Sequence, residues 1–270
     1  MKSPPAILGK IAERTLLRVA KAKEVFPFEQ VREQAQMLAA TENVTHPLPF
    51  EHSLSASGLS FICEVKKASP SKGVIAEDFP YLEIAKEYEE GGAAAISVLT
   101  EPEFFLGSDQ YLREIAASVK IPVLRKDFII DPYQLYEAKL LGAKAALLIC
   151  ALLEPQNLCS FLKTATELSL DCLVEIHSEA EAEEALNAGA RIIGINNRDL
   201  TTFNVDTGLA SRLRKLLPSD TLTVAESGIN NTDDIRRLKD IGVDAVLIGE
   251  SLMRSSDRKQ FLRDLIDAGK

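Results

Sequence analysis

The sequence lacks long apolar runs, and this absence argues against a membrane-spanning protein. No stretch of its 270 residues approaches the roughly 18 uninterrupted apolar residues of a transmembrane helix. The first ten residues, MKSPPAILGK, also lack the apolar core of a secretory signal. We therefore expect a cytoplasmic protein that has no contact with a membrane.

Clustered cysteines and a basic stripe are missing as well. The four cysteines show no CxxC spacing, and three lie inside apolar runs, as reduced core residues do. We therefore expect neither a zinc site nor a disulfide framework. Lys and Arg are scattered along a chain of net charge -9, which argues against a nucleic-acid partner. A single small anionic ligand is compatible with this composition.

A repeated pattern is present, in which a helix ends at glycine and an apolar strand follows after one or two small residues. Four copies begin at Gly91, Leu141, Ala188 and Ile241. Four further apolar or β-rich runs occupy residues 61–66, 121–126, 170–175 and 222–226. The chain therefore contains about eight apolar or β-rich runs that are predicted to be strands.

Helix-start signals lie between these strands. Asp131 can cap a helix that Pro132 begins, Ser178 and Glu181 have the spacing of a capping box, and Thr232 is a third start. Alternating strands and helices predict a parallel sheet buried on both faces. An open doubly wound sheet and a closed barrel both satisfy this pattern. Eight units at roughly 20 to 30 residues each favour a (β/α)8 TIM barrel.

The first part of the chain does not join the repeat. Residues 7–22 and 28–40 are predicted to be helical, and residues 45–57 form a linker that contains Pro and His. We interpret residues 1–58 as a helical extension packed on a barrel of residues 59–270. The whole chain is then one domain.

Ionisable residues stand at the ends of three predicted strands. Glu64 and Lys66 alternate on one side of the first strand, while Lys126 ends the third and Glu175 the fifth. Barrels of this kind build their active sites at the C-terminal ends of the strands. Two lysines and two glutamates in one pocket could carry out acid–base chemistry. The alternative is a set of ordinary, solvated ion pairs.

Glycine-containing turns after the last two strands predict a phosphate site. Residues 225–229 and 248–251 follow the seventh and eighth strands, where such barrels often bind phosphate through backbone amides. Residues 69–71, Ser-Pro-Ser, could add a hydroxyl, although the same run could be a simple turn.

Two other polar positions have competing interpretations. Arg198, after the sixth strand, could bind a substrate hydroxyl or carboxylate, or pair on the surface with Asp199 or Asp206. His177 lies two residues beyond Glu175 and could face the pocket, but a turn histidine before the next helix is the simpler interpretation.

The run EVKKASPSKG at residues 64–73 carries a resemblance to a known family. This run resembles the signature of the indole-3-glycerol phosphate synthase family. Matching segments continue at residues 97–101, 105–108, 124–128, 147–149, 175, 194–200, 225–229 and 247–253. Every predicted strand contributes, so the resemblance covers roughly residues 5–255.

The resemblance implies a carboxy-lyase of tryptophan biosynthesis. Its substrate would be 1-(2-carboxyphenylamino)-1-deoxyribulose 5-phosphate, and its products indole-3-glycerol phosphate, carbon dioxide and water. No metal and no organic cofactor are expected in this family. We expect a monomer that associates at most weakly with other enzymes of the pathway.

The resemblance also implies roles for individual residues. Lys126 resembles the general acid of ring closure, and Glu175 the base or the group that stabilises developing positive charge. Lys66 resembles the lysine that steers the substrate and could serve the dehydration, with Glu64 beside it as proton acceptor. Which lysine serves which step stays open. Asn196 resembles a residue that orients the substrate hydroxyls or the second glutamate.

The remaining matched positions imply substrate contacts. They are Ser69, Gly228, Gly249 and Glu250 for the phosphate, Phe105, Phe128 and Leu147 for the aromatic ring, and Pro70, Arg198 and Ser227 elsewhere in the site. For the apolar three, core packing is the alternative. Leu106 departs from the pattern, since some relatives carry a polar residue there.

Two other functions fit the sequence less well than this one. A phosphoribosylanthranilate isomerase would need a Cys and Asp pair, and Cys63 is predicted to face away from Glu64 and Lys66. A phosphate-binding barrel without catalysis would keep the glycine turns but lose Lys126 or Glu175, and both are present.

Overall fold

The computed structural model describes residues 6–42, 46–199 and 201–270. Thr45 of the predicted linker and Leu200 of the family-like segment lie outside the described residues. Eight parallel strands of the described chain close into a barrel, in the order β1-β10-β9-β8-β7-β6-β5-β4. The barrel strands are β1 (Ser60–Val65), β4 (Ala95–Leu99), β5 (Val123–Lys126), β6 (Ala145–Ile149), β7 (Asp171–Ile176), β8 (Ile192–Asn196), β9 (Leu222–Glu226) and β10 (Ala245–Ile248). A short hairpin, β2 (Ala68–Ser69) and β3 (Gly73–Val74), follows the first barrel strand.

Nearly every residue of these strands is buried, because helices cover the outside and side chains fill the inside. The register places Ile149 of β6 beside Glu175 of β7, and Asn196 of β8 beside Glu226 of β9. The polar ends of neighbouring strands therefore lie at the same height on one rim. The predicted TIM barrel is confirmed.

Nine helices of the described chain follow the strands or close the barrel: α4 (Tyr81–Gly91), α5 (Asp109–Ser118), α6 (Tyr133–Leu140), α7 (Pro155–Glu167), α8 (Glu179–Asn187), α9 (Leu209–Arg214), α10 (Thr232–Asp240), α11 (Glu250–Arg254) and α12 (Arg258–Gly269). Helix α4 ends where Gly92 adopts φ +103°, which favours glycine over residues with a Cβ.

Two predicted helix starts need correction. Helix α10 is capped by Asn231 rather than Thr232, because the Asn231 side chain accepts from the amides of Asp233 and Asp234. Ser178 does cap α8, but the predicted capping box is incomplete there. The Glu181 carboxylate accepts from the amide of His177 instead of that of Ser178.

The N-terminal helices α1 (Ala6–Val25) and α2 (Phe28–Thr41) agree with the two predicted helices. Helix α2 packs on α6, where the rings of Phe28 and Tyr136 meet edge to face with centroids 5.6 Å apart.

The linker prediction was wrong in part, because α3 (Pro49–Leu54) forms within it. Pro49 suits the start of this helix, Phe50 and Leu54 are buried, and the Glu51 amide donates to Asp171 Oδ2 at 2.9 Å. Tertiary contacts therefore stabilise a helix that is too short to be recognised from sequence periodicity.

Candidate active site

A cavity of about 780 Å³ opens at the C-terminal end of the barrel, a volume suited to a small-molecule ligand. Five ionisable side chains from the strand ends line it: Glu64, Lys66, Lys126, Glu175 and Glu226. The four residues predicted to form an acid–base group therefore do lie in one cavity. Glu226 is an addition that the sequence analysis had placed only within a glycine turn.

Lys126 lies at the centre of this group. Its Nζ is 3.2 Å from Oε2 of Glu175 and 2.5 Å from Oε2 of Glu226. Burial alone would lower the pKa of Lys126, but the carboxylates of Glu226 and Glu175 hold it above its ordinary value. The lysine is therefore a cation held in place by two acceptors.

The two carboxyl groups on Lys126 have different proton affinities. Burial raises the pKa of Glu226 to about 7, although Lys126 opposes this effect. Burial acts in the same direction on Glu175, but Lys126 and His177 hold the pKa of that carboxyl below its ordinary value. The site thus contains one carboxyl that stays ionised and one that exchanges a proton near neutrality.

Glu64 and Lys66 form a second ion pair in the cavity, with the side chains 5% and 16% exposed. They share one side because residues two apart in a strand point the same way. Gly249 at the end of β10 packs against this pair, and a Cβ at that position would overlap the Glu64 carboxylate. Glycine at this position therefore leaves room for the Glu64 side chain as it lies here.

Asn196 and Ser227 belong to a hydrogen-bonded turn beside the glutamates. Ser227 Oγ donates to Asn196 Oδ1 at 2.8 Å, and the amide of Arg198 donates to the same oxygen at 3.1 Å. Ser227 has a left-handed backbone with φ 65°, which is strained for a residue with a Cβ. From this turn the Ser227 hydroxyl reaches Asn196, and both residues line the cavity.

The cavity also has an apolar wall. The rings of Phe105 and Phe128 have centroids 5.7 Å apart, and Leu147 lies beside them in the lining. Leu8 and Ile11 of α1 complete this wall, so the N-terminal extension forms part of the site. The sequence analysis had interpreted residues 1–58 only as a helical extension packed on the barrel.

Another part of the lining is polar and rich in glycine. It contains Ser69, Pro70, Gly228, Gly249 and Glu250, all of them predicted substrate contacts. Two cations neutralise Glu250, since its Oε1 lies 3.5 Å from Lys72 Nζ and 3.2 Å from Arg254 Nε. The section therefore offers backbone amides and a net positive side-chain charge to an anion.

Arg198 lines the cavity rather than pairing on the surface. Its guanidinium donates to the carbonyl of Phe203 at 3.1 Å, while Asp206 pairs with Arg212 at 2.7 Å and Asp199 accepts from the amides of Thr201 and Thr202. The surface ion pairs considered for Arg198 do not form among the described residues.

Glu226 is the main residue that sequence reasoning missed. A signal existed, because Glu226 ends the seventh strand just as Glu175 ends the fifth. The glycine that follows shortly after it directed attention to phosphate binding instead. No group of three or more His, Cys, Asp or Glu side chains suited to a metal ion occurs within the described ranges.

The fold and this site together define a (β/α)8-barrel enzyme built for acid–base chemistry on an anionic substrate. Comparison with known proteins names the family. The family model "Indole-3-glycerol phosphate synthase" matches residues 8–265. An indole-3-glycerol phosphate synthase of Ruminiclostridium cellulolyticum is 56% identical over 251 residues, covering 93% of this chain and 95% of that protein. One from Endomicrobium trichonymphae is 56% identical over 261 residues, with 97% and 100% covered.

The chain therefore belongs to the indole-3-glycerol phosphate synthase family, and it is a lyase of tryptophan biosynthesis. The predicted family and activity are confirmed. Among solved structures, 3-hexulose-6-phosphate synthase from Salmonella typhimurium is similar in fold, with a TM-score of 0.65 at 12% identity over 78% of this chain and 98% of that one. In the described part of the chain, no helix has the length and apolar character to cross a membrane.

Proposed function

We propose that the cavity residues convert 1-(2-carboxyphenylamino)-1-deoxyribulose 5-phosphate into indole-3-glycerol phosphate, with Lys126 as the general acid of ring closure. The observation that carries this proposal is the Lys126 ammonium, held between Glu175 and Glu226 at the centre of the cavity. A proton donor on a rigid strand end is what attack on a ketone requires.

Ring closure joins the carboxylate-bearing ring carbon to the ketone carbon of the substrate. Lys126 donates a proton to the ketone oxygen as this bond forms. Glu175, held ionised, stabilises the positive charge that develops on the ring and the anilino nitrogen. Carbon dioxide then leaves, and the electrons of the broken bond restore the aromatic ring.

Dehydration follows at the pair formed by Glu64 and Lys66. Lys66 donates a proton to the hydroxyl at the former ketone carbon, which leaves as water. Glu64 takes a proton from the neighbouring methylene group, and the indole double bond forms. The ion pair of these two residues supports this step, since it contains one donor and one acceptor in contact.

Glu226 restores the proton that Lys126 loses. Its Oε2 lies 2.5 Å from Lys126 Nζ, and its pKa of about 7 lets it hold and release a proton at neutral pH. Asn196 and Ser227 form the wall beside the two carboxyl groups and orient Glu175 and the substrate hydroxyls.

The two ends of the substrate fit the two walls of the cavity. We assign the phosphate to Ser69, Gly228, Gly249 and Glu250, the last two through backbone amides, beside the cations Lys72 and Arg254. The aromatic ring is assigned to Phe105, Phe128 and Leu147. Pro70 is a further substrate contact, and Arg198 is a contact to a substrate hydroxyl or carboxylate.

The test is to incubate the purified protein with the anilino-deoxyribulose phosphate and follow indole fluorescence. We expect a signal without added metal, and a loss of about two orders of magnitude in kcat for Lys126→Ala. Lys120→Ala is the matched control, because Lys120 is exposed near the opposite end of the same strand. A fully active Lys126→Ala protein would remove this residue from the mechanism.

We also propose that the chain works in the cytoplasm as a monomer and that residues 1–58 and 59–270 form one domain. A phosphorylated substrate and four free cysteines support a cytoplasmic location. The contribution of Leu8 and Ile11 to the cavity supports a single domain. Light scattering during size-exclusion chromatography should give one mass near 29.6 kDa. A dimer mass would contradict it.

A further inference from the structure

His177 occupies a place between two carboxylates that come from different elements. It directly follows β7, and its Nε2 lies 3.5 Å from Oε1 of Glu175. Its Nδ1 lies 3.4 Å from Oε2 of Glu181, which is on α8. The Nε2 atom is buried and forms no hydrogen bond with any described residue, so Glu175 is the polar group it faces.

The position of the ring is fixed by the start of α8. Oε2 of Glu181 also accepts from the His177 amide at 2.6 Å, and the Glu181 amide donates to Ser178 Oγ at 3.2 Å. The incomplete capping box thus binds Glu181 to the backbone of His177. A carboxylate held in this way keeps the imidazole directed at Glu175.

The charges around His177 favour the imidazolium form. Glu175 on β7, Glu181 on α8, Glu226 on β9 and Asp199 after β8 all act on the ring, and Lys126 lies beyond Glu175. Burial alone would lower the pKa of His177, but the contacts with Glu181 and Glu175 hold it above its ordinary value. These contacts therefore favour the charged imidazolium over the neutral ring.

This charge distinguishes the two carboxyl groups on Lys126. Both are buried and both contact the ammonium, but only Glu175 lies beside the imidazole. We propose that His177 is a positioning residue that keeps the negative charge on Glu175 and so leaves the exchangeable proton on Glu226. The proposal rests on the proposed function of Glu175 and Glu226. It adds a cause for their different protonation, namely the imidazole beside Glu175.

The catalytic test compares His177→Gln with His52→Gln, since His52 is an exposed histidine on α3. For His177→Gln we expect kcat on the acidic limb, below the pKa of Glu175, to fall about tenfold, which corresponds to one pKa unit, with little change in KM. The acidic limb of the kcat profile should move to higher pH, because Glu175 then accepts a proton more readily. His52→Gln should match the unchanged protein.

Glu181→Gln is the second variant, because glutamine keeps an acceptor for the His177 amide while removing the charge behind the ring. It should move the acidic limb in the same direction, by less. An unchanged pH profile in both His177→Gln and Glu181→Gln would overturn the proposal. Two variants are used so that a folding defect in one of them does not decide the result.

A measurement independent of turnover completes the test. The ring C–H signals of His177 should titrate by NMR above pH 6.5 in the unchanged protein and about one pKa unit lower in Glu175→Gln and Glu181→Gln. Identical titration in all three proteins would show that the carboxylates do not act on the ring. Failure of the proposed function would appear differently, as an unchanged protein that forms no indole product.

Discussion

The ammonium of Lys126 lies 2.5 Å from Oε2 of Glu226, so these two residues form a close contact between the ends of β5 and β9. Gly194 lies beside the same carboxylate. A Cβ on Gly194 would overlap the Glu226 carboxylate, whose Oε1 has no hydrogen-bond partner among the described residues. The carboxyl is thus free to change its protonation next to the proton donor.

Replacing Glu226 with Gln should remove the proton store of Lys126. We expect kcat to fall between about tenfold and a hundredfold. In the unchanged protein, activity should decline as pH rises through about 7, because Glu226 then loses its proton. This decline should be missing from the pH profile of Glu226→Gln.

Glu183→Gln is the control for that change, since Glu183 is an exposed glutamate on α8. A Glu226→Gln protein that kept both full activity and the decline near pH 7 would show that another group is responsible.

Removing Arg18 should weaken the attachment of α1 to the barrel. Its guanidinium contacts both carboxylate oxygens of Asp127, at 2.7 and 2.9 Å, and Asp127 directly follows Lys126. The Asp127 side chain is fully buried, so Arg18→Ala leaves a buried charge with weaker compensation. We expect a loss of about 2 kcal/mol in the free energy of unfolding and a lower kcat.

Arg14→Ala is the matched control one turn earlier on the same helix. Arg14 and Glu103 form an exposed pair, with side chains 54% and 46% exposed, and such pairs contribute about 0–1 kcal/mol. Urea unfolding of both variants measures the difference. Equal destabilisation by the two substitutions would contradict a special role for the Arg18 contact.

Asp171 should make the protein less stable as pH rises. Burial raises the pKa of Asp171 to about 6, whereas an unfolded chain has an ordinary value near 3.9. Between these values the folded state binds more protons than the unfolded state, so stability falls as pH rises from about 4 to about 6. Asp171→Asn removes this loss and keeps an acceptor for the Glu51 amide.

Thermal or urea unfolding at pH 4 and pH 7.5 tests this prediction. Asp171→Asn should exceed the unchanged protein by on the order of 1–3 kcal/mol at pH 7.5 and by little at pH 4. Asp220→Asn, at an exposed turn position, should change neither value. A variant that is less stable at pH 7.5 would mean that the Asp171 charge is compensated in the folded state.

Much of the barrel could be predicted because its signals are local. A glycine that ends a helix and the apolar run that follows it are adjacent in the chain. Each repeat can therefore be recognised within about ten residues. The strand of residues 222–226 was predicted with the bounds that the structure has. Helix α3 could not be predicted, because its six residues depend on a distant carboxylate, Asp171, for a cap.

The candidate site likewise contains residues that could be placed from the sequence and residues that could not. Glu64 and Lys66 could be placed together from strand alternation alone, since they are two residues apart. Glu226 and His177 could not be assigned, because their chemistry depends on neighbours far away in the sequence or on a helix start that deviates from its pattern.

By itself, the amino-acid sequence determined the barrel, the rim on which its polar residues stand and the family to which they belong, because all three depend on periodicity and short motifs. Only the tertiary structure decided which carboxyl group keeps its charge. The protonation of Glu175 and Glu226 depends on burial and on the positions of Lys126 and His177, and these are set by the closure of the barrel.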